Sequence, residues 1–148
     1  MPGLTPKKIT AKNFSRYGRI IEYARKSNET AKRNLFRIIL REKGCHGWRI
    51  AYLVVRDRRI DRLEQHPHTF ESFEPVKGQS ILYLAVRKGA PIEGFYLDKP
   101  VVLKKGVWHG VVSTGRESEI KITENSKVNS IYWRLRFSLN HTYEKNAI

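Results

Sequence analysis

Apolar residues in this chain fall in short runs separated by turn residues, and almost nowhere do they recur at helical spacing. Residues 80–86 form a nearly unbroken apolar run, which predicts a strand buried on both faces. Residues 131–137 alternate strictly, with Ile131, Trp133, Leu135 and Phe137 against Tyr132, Arg134 and Arg136. That alternation predicts a strand with one apolar face. Residues 119–123 alternate as well. Residues 48–55 alternate weakly and are apolar on both faces at their end, as a central strand would be. Further extended segments are predicted over 19–23, 35–40, 60–66, 70–76, 92–97, 101–107 and 109–114. Glycine, proline and charged turns lie between them, at 44–47, 57–61, 77–79, 88–91 and 98–100. The one helical signal is short: Thr10 caps residues 11–16, with Gly18 as the stop.

Many short strands at close spacing predict an antiparallel barrel or sandwich, all-β apart from that helix. Nothing in the 148 residues demands a second domain, so a single domain over 1–148 is expected, with loose termini at 1–9 and 140–148. No apolar run is long enough for a membrane span, and no apolar signal-peptide core follows the start. A cytoplasmic protein is the simplest expectation. The one cysteine, Cys45, rules out an internal disulfide framework and is expected to be a small buried residue.

The charge of +15 comes from 29 basic against 14 acidic residues and is spread along the chain. It reads as a generally basic surface. Nucleic-acid binding stays as an alternative whose mark would be steep salt dependence.

Residues 64–78 gather Glu64, Glu71 and Glu74 with His66 and His68. Glu64, His66 and His68 are two apart, and on a strand such residues share a face. One extended segment can therefore aim a carboxylate and imidazoles into one cavity. A second segment, 100–109, ends in Gly106, Trp108 and His109. Oxygen and nitrogen donors from two strands suit a divalent transition metal. His46 and His141 lack partner spacing.

The spacing within 64–78 and 100–109 resembles the two motifs of the cupin superfamily. Glu71 stands five after His66 and seven before Gly78, and Pro100, Gly106 and His109 resemble the second motif. On that resemblance Glu64, His66, Glu71 and His109 are the ligand set. Glu64 replaces the histidine usual at the first position. Within the superfamily, Glu64, His66, Pro67, Phe73, Pro75 and Gly78, followed by Gly106, Trp108 and His109, are most similar to the ureidoglycolate lyase (ureidoglycolate hydrolase) family. Residues 10–22 resemble that family's opening, whereas 28–59 and the tail match poorly.

The resemblance implies a cupin-like double-stranded β-helix, or jelly roll. It implies a carbon–nitrogen lyase that cleaves ureidoglycolate to glyoxylate and urea, or acts on a related small carboxylate. His66, Glu71 and His109 would be catalytic, and Glu64, His66, Glu71 and His109 would hold zinc, manganese or nickel. His68, Arg33 and Arg136 would bind substrate. Arg33 falls in the substrate loop, and an arginine fork suits a carboxylate. Arg37, Arg49 and Arg134 are further arginines for that role. A homodimer is expected. The alternative to an enzyme is a non-catalytic cupin module that binds a small anion.

Overall fold

The computed structural model describes residues 4–24 and 33–140. In chain order its elements are β1 Lys7–Lys8, α1 Ala11–Phe14, β2 Gly18–Ile20, β3 Trp48–Val55, β4 Arg59–Gln65, β5 Glu71–Lys77, β6 Ser80–Ala85, β7 Glu93–Tyr96, β8 Val101–Leu103, β9 Trp108–Ser113, β10 Ser118–Asn125 and β11 Ile131–Asn140. They build a six-stranded sheet, β1-β7-β6-β9-β4-β11, and a five-stranded sheet, β2-β8-β5-β10-β3. β1 runs parallel to β7, and the other pairings are antiparallel. The fold is the expected all-β, largely antiparallel two-sheet barrel with a short N-terminal helix. Among the described residues no helix is long and apolar enough to cross a membrane.

One core fills the space between the sheets. Phe14, Tyr17, Phe73, Leu82, Leu84, Phe95, Leu103 and Ile120 belong to it. A second cluster, with Leu63, Ile81, Tyr83, Trp108, Val112, Leu135 and Leu139, covers the other side of the six-stranded sheet. β6 contributes Leu82 and Leu84 to the first and Ile81, Tyr83 and Ala85 to the second, which is why its sequence is an unbroken apolar run.

The helix is shorter than expected. Thr10 and Asn13 cap it reciprocally, each side chain accepting from the other's backbone N–H. Gly18 does not stop it but opens β2. Residues 7–9, expected to be loose, are held by the β1–β7 pairing, and Ile9 is buried.

Three further expectations are corrected. Residues 35–40 form no strand, and Phe36 is 88% exposed. Strand formers become a strand only where a pleated surface receives them, and among the described residues no ladder partner meets them. β3 is an edge strand rather than a central one. Ala51, Leu53 and Val55 face the core, while Trp48, Ile50, Tyr52 and Val54 are exposed, so Tyr52 is not a core residue. Cys45 is exposed.

Candidate metal centre

The two histidine-bearing segments meet at one end of the barrel. β4 carries Glu64, whose direct antiparallel partner on β9 is His109. His66 lies one residue past the end of β4, and its carbonyl accepts from the Gly106 backbone N–H at 2.9 Å. Gly106 makes that approach in a left-handed turn, φ +80°. The facing sheet supplies Glu71, the first residue of β5. Two sheets thus bring Glu64, His66, Glu71 and His109 to one point.

Glu71 Oε2 lies 3.2 Å from His66 Nε2 and 3.0 Å from His109 Nε2. Glu64 Oε1 lies 3.9 Å and 3.7 Å from the same nitrogens. The other ring nitrogens face backbone carbonyls: His109 Nδ1 meets Val107 O at 3.0 Å, and His66 Nδ1 meets Asn129 O at 3.2 Å. A carbonyl only accepts, so each Nδ1 carries the proton and donates. Each Nε2 is thereby the atom left for a cation or an acid, and the rings are locked in that orientation. The Phe73 ring stands edge-on to His109, with centroids 5.6 Å apart, and walls the site on the core side.

Charge and burial pull against one another. Burial disfavours a charged His109, but the Glu64 and Glu71 carboxylates outweigh it and raise the imidazole to about 10. Burial likewise opposes charge on Glu71, and the two histidines outweigh it, lowering the carboxyl to about 2. Burial pushes His66 down, and Glu71 turns that into a net rise. His109 holds Glu64 below the usual carboxylate range. Without a cation, the imidazole protons balance the carboxylates.

A fifth group stands in the same place. Glu124 on β10 is the direct partner of Glu71 on β5 and of Arg49 on β3. Arg49 Nε and Nη2 both donate to Glu124 Oε1, at 3.0 and 2.6 Å. Glu124 Oε2 is buried and has no hydrogen-bond partner. Burial raises its carboxyl, and Arg49 only partly offsets that. Nothing in the motif spacing marks Glu124. The signal available was the alternation of β10, where Ser118, Ile120 and Ile122 are buried and Glu124 is next on the same face.

The donor set fits a divalent ion. Ligand atoms of Glu64, His66 and His109 lie within 4.8 Å of one another, as do those of His66, Glu71 and Glu124. Glu71 Oε2 and His109 Nε2 are close as an ion pair but not aligned as a hydrogen bond, and both atoms are buried. Imidazole nitrogens with carboxylate oxygens suit zinc, manganese or nickel.

No family model matches this chain, and no curated protein does. The chain is similar to solved structures of Bacillus subtilis oxalate decarboxylase. One is a single-site mutant, at 16% identity over 61% of this chain and 24% of that one, with a TM-score of 0.45. Another, from work on that enzyme's Mn(II) centres, has the same identity and coverage and a TM-score of 0.46. This chain spans about a quarter of the length of those structures.

The expected substrate-binding residues lie outside the cluster. His68 is exposed, and its backbone carbonyl accepts from Asn125 Nδ2. Arg33 and Arg136 are exposed and make no ion pair among the described residues. Arg49, not these, reaches the site through Glu124. His46 is exposed, and His141 lies outside the described residues.

Proposed function

We propose that this chain is a small cupin enzyme acting on a small carboxylate with a divalent cation held by Glu64, His66, Glu71 and His109. The observation that supports this is the convergence of two imidazoles and two carboxylates from both sheets, with buried donor atoms left without hydrogen-bond partners. Within that class, the resemblance of residues 64–78 and 106–109 favours cleavage of ureidoglycolate to glyoxylate and urea. In that elimination the substrate's O–H and C–N bonds break, a carbonyl forms, and the hydroxyl proton ends on the departing nitrogen. No oxidant, reductant or net proton is needed.

A bound divalent ion would act as a Lewis acid toward the hydroxyl oxygen. The chain's own residues do the rest. The Nδ1–H bonds to Val107 and Asn129 hold both imidazoles with Nε2 turned inward. Phe73 keeps water from the core side of His109. Glu124 has one oxygen fixed by Arg49 and the other unpartnered. It is placed to take the hydroxyl proton and return it to the nitrogen.

The test uses protein stripped by chelator and reloaded with zinc, manganese or nickel. Glyoxylate release from ureidoglycolate is expected with one of these metals and should vanish in His66→Ala and His109→Ala. The same loading should raise the melting temperature, because the cation binds the folded state alone. A raised melting temperature without glyoxylate would leave a cation-holding module that binds a small anion. No change with any metal would remove the metal centre.

A further inference from the structure

The face of β4 that carries Glu64 continues beyond the cluster. Arg62 lies two residues back on that face. On β11, Tyr132 is the direct partner of Glu64, and Arg134 is the direct partner of Arg62. The Arg62 guanidinium lies 4.8 Å from the centroid of the Tyr132 ring, so both point the same way. The opposite face of these strands is apolar, with Leu63 and Leu135 buried. Arg62, Tyr132 and Arg134 are exposed. Within the cluster, the Glu64 side chain is 38% exposed against 7% or less for His66, Glu71 and His109. The cluster therefore opens on the side where the two arginines stand.

Like charges directly opposite on neighbouring strands repel. Arg62 and Arg134 are such a pair, and neither has a carboxylate partner among the described residues. The other sheet treats the same situation differently, where Arg49 stands opposite Glu124 and is neutralised by it. Two arginines without a carboxylate partner among the described residues, beside the exposed side of the cluster, are an arrangement that an oxyanion would stabilise. Guanidinium forks match carboxylate or phosphate oxygens bidentately.

We propose that Arg62 and Arg134 form an oxyanion-binding subsite at the mouth, holding the anionic end of the substrate while its other end reaches the cluster. The second half of this statement rests on the function proposed above. Along the strand Arg62 and Glu64 are about 7 Å apart, at ~3.4 Å per residue, so a molecule a few bonds long spans both. The subsite takes over the role expected of Arg33 and Arg136.

Calorimetric titration of succinate, butyrate and inorganic phosphate into metal-free and Mn(II)-loaded protein tests this, with Arg62→Gln, Arg134→Gln and Arg136→Gln alongside. All three side chains are exposed. Removing one of a repelling pair should leave the melting temperature equal or higher, which verifies that the variants fold. Metal-free protein is expected to bind succinate and phosphate. That affinity should fall about tenfold or more in Arg62→Gln and Arg134→Gln, the loss of a charge-assisted hydrogen bond, and stay unchanged in Arg136→Gln. With Mn(II) bound, succinate should exceed butyrate, which has the same carbon count and one carboxylate, and Arg62→Gln should remove the margin. Phosphate ahead of succinate would assign the subsite to phosphorylated molecules, and the reverse order to carboxylates. Equal affinities in all four proteins, an equal loss in Arg136→Gln, or no binding of any probe would overturn the subsite. Arginine-dependent binding without uptake of Mn(II), and with no uptake of zinc or nickel either, would leave it standing and strike the proposed cation chemistry alone.

Discussion

Glu71 Oε2 lies 3.0 Å from His109 Nε2, so a carboxylate from one sheet and an imidazole from the other sustain each other's charge inside the barrel. In the metal-free protein this makes stability depend on pH from both ends. His109, raised to about 10, contributes fully below its ordinary 6.5, and that contribution is lost as pH rises through about 10. Glu71, lowered to about 2, contributes fully above its ordinary 4.5 and loses that as pH falls through about 2. The metal-free protein should be most stable in the overlap, between about 4.5 and about 6.5. Urea unfolding across pH, on wild type and Glu71→Gln, checks this. Glu71→Gln should flatten the alkaline decline, and an unaltered decline would mean that other groups hold the His109 proton.

Cation uptake must displace the protons that the imidazoles otherwise hold, so cation affinity should rise with pH. Glu124→Gln removes a negative charge beside the ligands while keeping the side-chain shape. It should weaken cation binding about tenfold, the lower end for a group that supports metal ligands. Competition against a chelator of known affinity reads this directly. An unchanged affinity would exclude Glu124 from the centre's electrostatics.

Gly78 belongs to the first motif by spacing, but its work is structural. Its φ is +71°, and a Cβ there would lie 2.8 Å from Glu117 O and 3.0 Å from the Ser118 Cα. Gly78→Ala should cost about 1–3 kcal/mol, the range for a side chain forced into such backbone. Gly78 follows the end of β5 away from Glu71, so cation affinity should hold. Denaturant melts and a metal titration of the same variant separate the two effects.

The homodimer expected from the sequence has a candidate surface in β3. Its outward row Trp48, Ile50, Tyr52 and Val54 is exposed, on a strand that among the described residues pairs along one edge only. Antiparallel pairing with a second copy about Ala51 would set Ile50 opposite Tyr52 and Trp48 opposite Val54. Arg49 would then face Leu53 rather than its own copy, so no like charges meet. Light scattering should give a dimer mass that Ile50→Lys halves. A monomer in wild type at high concentration would end this reading.

Glu64 and His66 were legible because they stand two apart on one extended segment whose period aims them together, whereas Glu71, on the facing sheet, was legible only through the resemblance of its spacing to the first motif. His109 was legible through the glycine turn before it. Glu124 was legible only as an inward-facing position from the alternation of β10, because its place beside Glu71 is set by the pairing of β10 with β5, which local alternation does not mark. The same limit explains residues 48–55 and 35–40. Their composition specifies extended chain but not whether a neighbour exists on each side. Arg134 showed its polar face in the sequence, but only its register opposite Arg62 revealed that this face borders Glu64.

The four proposed ligands come from β4, the residue after it and β9 of one sheet and from β5 of the other, and His66 O is tied to Gly106 N beside them. An ion there would rivet the two layers at one end of the barrel, while the Gly78 end stays free to breathe. Amide hydrogens beside Glu64, His109 and Glu71 should then exchange far more slowly with metal than without. Those at the opposite ends of the same strands should keep their metal-free rates.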